Sequence, residues 1–159
     1  MKKARILLFI SLSLLTFANV NAQKNIKVKI KKGIVYVNKK EYLKIEKINS
    51  NKYFISTLDD VEVLSVNIEE YGTGNYLKTI NAATGRPYEE MHRYSVLKFL
   101  DNKEIGEEFE VDEARLKKLI EMMYDTNIIV DNKISNEKAK RMIEKYSEEV
   151  SKRRFLTKN

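Results

Sequence analysis

The stretch Val61-Glu62-Val63-Leu64-Ser65-Val66-Asn67-Ile68, near the middle of the 159-residue chain, decides the fold. It is rich in β-branched and aliphatic residues, which favour an extended strand. Because alternate residues of a strand point to opposite faces, Leu64, Val66 and Ile68 share one side and Val61 and Val63 share the other. A strand that is apolar on both sides requires cover on both faces. We therefore expect it near the centre of a sheet, with helices later in the chain covering one side.

Strand signals precede this stretch. Ile26, Val28 and Ile30 alternate with Lys27, Lys29 and Lys31, the period-two pattern of a strand with one buried and one solvated face. Three further β-prone segments cover residues 34–37, 42–48 and 53–58, with polar or glycine-containing turn signals between them. The pattern predicts a series of hairpins.

After the central stretch the strand signal weakens. Residues 69–88 contain three glycines and the single proline, so we expect loops around a short strand at 77–80, and an irregular surface that is a natural place for function. Residues 91–100 predict another strand, 101–104 a turn and 108–111 a short return strand.

Two amphipathic helices follow. The first is expected to begin at Asp112 as N-cap, and the second at Ser135 or Asn136. Their apolar stripes are Leu116, Leu119, Ile120, Met123 and Tyr124 in the first, and Ala139, Met142, Ile143, Tyr146 and Val150 in the second. One-sided apolar helices are what an antiparallel sheet needs as cover. The sequence therefore predicts an α+β fold, with an antiparallel β-sheet of about six to eight strands and two C-terminal amphipathic helices packed on one face.

Residues 1–22 have the composition of a cleavable secretory signal peptide. Basic Lys2, Lys3 and Arg5 precede an apolar run over residues 6–17, and small or polar residues end at Ala22. The alternative, an uncleaved anchor, is disfavoured because the run is shorter than the roughly 20 residues that span a membrane. We expect cleavage after Ala22, a single domain over residues 23–159, no membrane span in the mature chain, and a periplasmic or extracellular location.

Charge is unevenly distributed along this domain. Residues 23–58 carry a formal charge of +8, residues 59–113 carry −9 and residues 114–159 carry +5. Loss of Lys2, Lys3 and Arg5 with the leader lowers the net charge of the chain from +7 to +4. One interpretation is that the thirds of one domain complement each other and otherwise face solvent. The other is that a basic sheet face meets an anionic partner.

Tyrosines are interleaved with the N-terminal lysines, a mixture typical of polyanion-binding surfaces. The candidate binding residues on this basic aromatic face are Lys27, Lys29, Lys31, Tyr36, Tyr42 and Lys44. Because export makes nucleic acid an unsuitable partner, we expect an envelope component, either an anionic polymer or a protein.

Residue counts restrict the chemistry. With no cysteine and one histidine, the chain has no disulfide, no Cys-His nucleophilic set and no cysteine- or histidine-rich metal site. Glu90 and His92 share one strand face, but no third metal ligand is marked. We therefore expect no metal, no cofactor and no catalytic residue.

Acidic doublets offer one alternative. The pairs at 59–60, 69–70, 89–90 and 107–108 could supply the acid and base of a small enzyme that acts on envelope polysaccharide. Neighbouring residues of a strand point to opposite faces, however, so a doublet in sequence is not a catalytic pair.

Three segments together resemble small exported bacterial proteins with no assigned function. They are the leader ending at Ala22-Gln23, the predicted strand segment Lys32-Gly33-Ile34-Val35-Tyr36-Val37 and the predicted helical segment Lys140-Arg141-Met142-Ile143-Glu144-Lys145-Tyr146. The resemblance implies export and no particular activity. We expect a non-catalytic binding or accessory module for an envelope component or protein partner.

Overall fold

The computed structural model describes residues 26–100 and 108–156. The predicted leader and the predicted turn at 101–104 lie outside these ranges. Seven strands form one antiparallel sheet in which every strand pairs with its neighbours in the chain. Their bounds are β1 Val28–Lys31, β2 Ile34–Val37, β3 Lys40–Lys47, β4 Lys52–Ser56, β5 Glu62–Ile80, β6 Pro87–Phe99 and β7 Phe109–Val111.

Helices and one small hairpin follow the sheet. Helix α1 spans Leu116–Asp125, strands β8 (Ile129–Val130) and β9 (Lys133–Ile134) form a separate two-stranded sheet, and helices α2 and α3 span Asn136–Tyr146 and Val150–Leu156. The predicted α+β class, the strand number and the amphipathic helices on one face of the sheet are confirmed. No helix in the described ranges is long and apolar enough to cross a membrane.

Tight turns set the register of the first three strands. Lys32 and Gly33 join β1 to β2, Asn38 and Lys39 join β2 to β3, and all four residues have positive φ, between 51° and 79°. Positive φ at both positions of a two-residue turn is the type I′ geometry, whose twist matches that of paired strands. The alternation predicted for β1 is therefore held in one register, with Lys29 opposite Tyr36 and Val28 opposite Val37.

The core lies between one face of the sheet and the first two helices. Each layer contributes fully buried side chains: Val35, Leu43, Ile55, Leu64 and Leu97 from the strands, Leu119, Ile120 and Met123 from α1, and Ala139 and Met142 from α2. Burial of one such large aliphatic side chain stabilises the fold by about 1.5–3 kcal/mol. The helical stripes predicted from the sequence are therefore core-packing faces, except at Val150, which lies in α3.

The other face of the sheet has cover at one end only. Helix α3 contacts β5 and β7, and Ser151 N donates a hydrogen bond to Glu110 Oε2 (2.7 Å). Because Glu110 lies between buried Phe109 and Val111 on β7, its side chain points away from the core, so α3 begins on the opposite face. The two-sided cover expected for the central strand is thus partial: near α3, Tyr94 and Val150 are buried, whereas Val61 is exposed.

The helix boundaries differ from prediction in two places. Helix α1 begins after Arg115, and Asp112 does not cap it. Asp112 directly follows β7, so its backbone is still at the end of the sheet and its carboxylate meets His92 and Arg153 there. The second predicted helix is interrupted at Ser147, whose extended ψ of 132° separates α2 from α3.

Residues 69–88 were expected to form loops around a short strand at 77–80. The extended segment at 77–80 is confirmed and residues 81–86 form a turn, but the loop expected before Leu77 is wrong, because residues 69–76 continue β5. Asn67 is the last residue of β5 that pairs with β4. Beyond it, strands β5 and β6 stay paired with each other and form a hairpin that we call the arm. Two register shifts, between Gly72 and Tyr76 and between Tyr76 and Ile80, interrupt the alternation of buried and exposed side chains by which a strand is recognised in a sequence. Gly74 has a φ of +81°, which suits one of these irregular positions.

Replacing Gly33 with alanine tests the first turn. Gly33 has a φ of +79°, and a Cβ there would lie 3.1 Å from the backbone oxygen of Ile45. We expect Gly33→Ala to lower the free energy of unfolding by about 1–2 kcal/mol, measured by urea denaturation.

Gly85→Ala is the control. Gly85 also has positive φ (+66°), but a Cβ at this position would have no neighbouring atom within 4 Å. The residue sits at the end of the arm, where local rearrangement does not unfold the body. An equal loss of stability in both variants would contradict the special role of the first turn.

Candidate functional site

The first hairpin brings four lysines to one side of the sheet. Lys27, Lys29 and Lys31 alternate with Val28 and Ile30, which pack against the core, so the three lysines project outward and are exposed. The chain at Lys27 is held next to Asn38 by two hydrogen bonds, Asn38 N to Lys27 O (3.0 Å) and Lys27 N to Asn38 Oδ1 (3.1 Å). The type I′ turn at Asn38 therefore places Lys39 beside Lys27.

A groove of about 450 Å³ lies among these side chains, and we call it the lysine groove. Its lining residues are Lys27, Val28, Lys29, Lys31, Tyr36 and Lys39. Within the described ranges none of its four lysines forms an ion pair, whereas Lys44, Lys98, Lys118, Lys145 and Lys152 each lie within 4.0 Å of a carboxylate. No lysine of the groove is therefore paired with a carboxylate in the described part of the molecule.

Tyr36 provides the aromatic side chain of the lysine groove. It is the direct cross-strand neighbour of Lys29, and its hydroxyl donates a hydrogen bond to Glu41 Oε1 (3.3 Å). Desolvation and, second, the charge of Glu41 raise the pKa of the Tyr36 hydroxyl above its ordinary value. At neutral pH the ring therefore carries no charge that would repel an anion.

Two of the six predicted binding residues lie elsewhere. Lys44 Nζ is 2.6 Å from Asp60 Oδ1, so its charge is paired across the turn that follows β4. Tyr42 packs edge-on against Tyr124 of α1, with ring centroids 5.2 Å apart. Tyr42 was grouped with the lysines because tyrosines and lysines are interleaved in the sequence. The register shift between Val35 and Tyr36 in the β2–β3 pairing falls at Tyr42, which packs against the core.

Sequence reasoning missed Lys39. Lys39 lies in a segment that the sequence predicts to be a turn. The length of that turn could have indicated that Lys39 lies beside Lys27. A two-residue connection fixes which residues lie opposite each other, and so puts Lys39 next to Lys27.

The single histidine belongs to a second polar cluster at the base of the arm. His92 Nε2 lies 2.7 Å from Asp112 Oδ1, and Arg153 Nη1 lies 2.6 Å from Asp112 Oδ2. Arg153 also contacts Glu148, and the His92 ring packs against Tyr71 with centroids 5.3 Å apart. This cluster ties the arm to β7 and α3.

The hydroxyl of Ser95, on the same strand as His92, is already engaged. Ser95 Oγ donates a hydrogen bond to the Glu113 carbonyl oxygen (2.6 Å), whereas the Nε2 atom of His92 faces Asp112. Ser95 is therefore not a nucleophile activated by His92.

The acidic doublets of the arm are engaged in local contacts. Glu89 Oε1 accepts a hydrogen bond from Gly74 N (2.9 Å), and Glu70 pairs with Arg93 at 3.6 Å. These side chains are exposed on a two-stranded hairpin, which has no walls to enclose a sugar. Among the described residues no group of three or more His, Cys, Asp or Glu side chains is arranged to hold a metal ion.

Tyr42→Phe separates a structural tyrosine from a binding one. The Tyr42 hydroxyl is buried, it has no hydrogen-bond partner among the described residues, and burial raises its pKa. Because an unsatisfied buried hydroxyl costs about 1–3 kcal/mol, we expect the variant to unfold at a higher temperature and urea midpoint than the parent. Loss of stability would show that this hydroxyl has a partner in the native protein.

No protein-family model, no curated protein and no solved structure matches this chain.

Proposed function

We propose that this protein is an exported, non-catalytic binding module that holds an anionic envelope polymer in the lysine groove. The observation that carries the proposal is the convergence of Lys27, Lys29, Lys31 and Lys39 on one groove without a carboxylate partner in the described ranges. Exposed cations that attract no acid from their own chain are available to an anion from outside.

Energetics favour a polymer over a small anion. A single exposed charge pair contributes only about 0.2–1 kcal/mol, and salt screens it further. A ligand that contacts several lysines at once adds these small terms and releases several counterions together. The lysine groove is therefore suited to a chain that carries many negative charges.

Strand geometry gives the spacing of those charges. Alternate residues on one face of a strand are about 6.6–6.8 Å apart, so Lys27, Lys29 and Lys31 present three cations over about 13 Å. An extended polymer with one anionic group about every 7 Å, as in a chain of phosphodiester-linked units, matches this row. Tyr36, opposite Lys29, offers an apolar surface for the sugar or alkyl portion of such a unit.

The distribution of charge along the chain favours the first hairpin as the surface that a polyanion contacts. Residues 59–113 carry a formal charge of −9, so an approaching polyanion is repelled from the middle of the chain and attracted to the first hairpin. Export, expected from the leader, would bring the protein to the anionic polymers of the cell envelope.

Neutralising the lysine groove tests the proposal. We expect the triple variant Lys27→Gln, Lys29→Gln, Lys31→Gln to bind a linear polyphosphate or heparin at least about tenfold more weakly than the parent, because three of four contacts are lost. Its affinity should also depend less on salt, as measured by titration calorimetry at low and moderate ionic strength.

A second triple variant provides the matched control. Lys47, Lys117 and Lys140 are exposed, form no ion pair in the described ranges and lie outside the lysine groove. Changing these three to glutamine alters net charge by the same amount. If both triple variants weaken binding equally, the groove is not the site and net charge alone determines affinity. If the parent binds neither polyanion, the proposal fails.

A further inference from the structure

The end of the arm exposes large apolar side chains to solvent. In residues 76–88, which we call the arm tip, Tyr76 is 65% exposed, Ile80 61%, Leu77 48% and Tyr88 47%. Four large apolar residues within thirteen positions form a concentrated patch, unlike the isolated exposed apolar residues of an ordinary surface. The tip lies beyond the last strand that flanks the arm on either side, so no other strand of the described sheet pairs with it.

These side chains lie on both faces of the hairpin. Tyr76 is paired directly with Glu89, so the two residues share a face, and Tyr88, the neighbour of Glu89, points to the opposite face. A groove on a partner protein covers one face or one edge of a hairpin. Apolar residues on both faces are instead suited to a medium that surrounds the tip.

Charge changes sign along the arm. The arm tip contains Lys78 and Arg86 and no acidic residue. Of the four glutamates of the arm, Glu69, Glu70 and Glu90 lie nearer the body, and Glu89 lies opposite Tyr76 at the start of the tip. Several of those glutamates are held locally, such as Glu69, which accepts a hydrogen bond from the Tyr94 hydroxyl (3.0 Å). The tip is therefore apolar and cationic, and the stem behind it is acidic.

We propose that the arm tip inserts into an anionic lipid surface. Tyrosine suits the boundary between headgroups and acyl chains, Leu77 and Ile80 supply aliphatic area, and Lys78 and Arg86 lie where lipid phosphates attract them. The glutamates of the stem, repelled by the same phosphates, limit the depth of insertion to the tip.

The length of the arm keeps the body clear of the membrane. Residues 69–80 extend at most about 36 Å at about 3.3 Å per residue, and the register shifts shorten this. The lysine groove is on β1 and β2, three strands away from β5 in the sheet order. The two sites are therefore separate surfaces, and each is tested without altering the other.

A single tryptophan provides the direct test, because the chain contains none. The reporter is Tyr76→Trp, mixed with vesicles of phosphatidylcholine alone or of phosphatidylcholine with phosphatidylglycerol. We expect a blue shift of its emission with the anionic vesicles, and quenching by lipids brominated on their acyl chains. Tyr36→Trp, in the lysine groove, is the control and should not be quenched by the brominated chains.

Charge substitution provides the second test. We expect Leu77→Glu with Ile80→Glu to reduce flotation with anionic vesicles by about tenfold or more, because apolar burial is lost and repulsion is added. The control pair is Ile48→Glu with Val61→Glu, at positions of comparable exposure on the body (47% and 46%), and it should float like the parent. Circular dichroism of both double variants establishes that each is folded.

The outcomes separate this proposal from the lysine groove. Insertion that persists when Lys27, Lys29 and Lys31 are changed to glutamine supports it, whether or not that variant still binds soluble polyanion. Unchanged Tyr76→Trp emission with anionic vesicles overturns it, as does quenching of Tyr36→Trp in place of Tyr76→Trp. A blue shift that depends on protein concentration without vesicles also overturns it, because the tip would then contact a second copy of the chain.

Discussion

The pairing of β5 with β6 is the interaction on which the rest of the structure depends. Near the body it places Leu64 opposite Phe99 and Val66 opposite Leu97, and these residues are fully or almost fully buried under the helices. Farther out, the same two strands continue without a buried face and become the arm. The same pair of strands therefore supplies both the centre of the core and the solvent-exposed arm.

The two edge strands of the sheet, β1 and β7, differ in what covers their outer edges. At β7, Glu148 N donates a hydrogen bond to Glu110 O (2.9 Å), so the segment between α2 and α3 covers part of that edge. At β1, no strand of the described ranges pairs with the outer edge, and exposed lysines line it. Charged side chains on an open edge discourage pairing with another chain. The lysines of β1 thus have a structural reason to be present, in addition to the binding role proposed for them.

Much of the architecture could be predicted from the sequence because local pattern and tertiary context agree. The alternation around Val28 and Ile30, and the stripe around Leu119 and Met123, each require the buried face that the fold provides. The prediction of a loop before Leu77 was wrong because glycine normally marks turns, whereas Gly72 and Gly74 are part of an irregular but continuous strand. Asp112 was expected to cap a helix because aspartate suits that position, but its actual partners, His92 and Arg153, are distant in sequence.

The candidate site could also be predicted only in part. Strand alternation and one short turn, both local features, bring together Lys27, Lys29, Lys31 and Tyr36. Tyr42 and Lys44 could not be placed, because a register shift and an ion pair with Asp60 determine their positions.

The order of elements along the chain has a consequence for folding. Every strand of the described sheet pairs with the next in sequence, so each pairing joins segments that are close in the chain and has a small entropic cost of closure. Such local contacts favour rapid formation of the sheet. Helices α1 and α2, which cover the apolar face, are synthesised only after all seven strands. During synthesis the nascent sheet therefore carries an uncovered apolar surface, and it is in this interval that the chain is most exposed to aggregation and most in need of a chaperone.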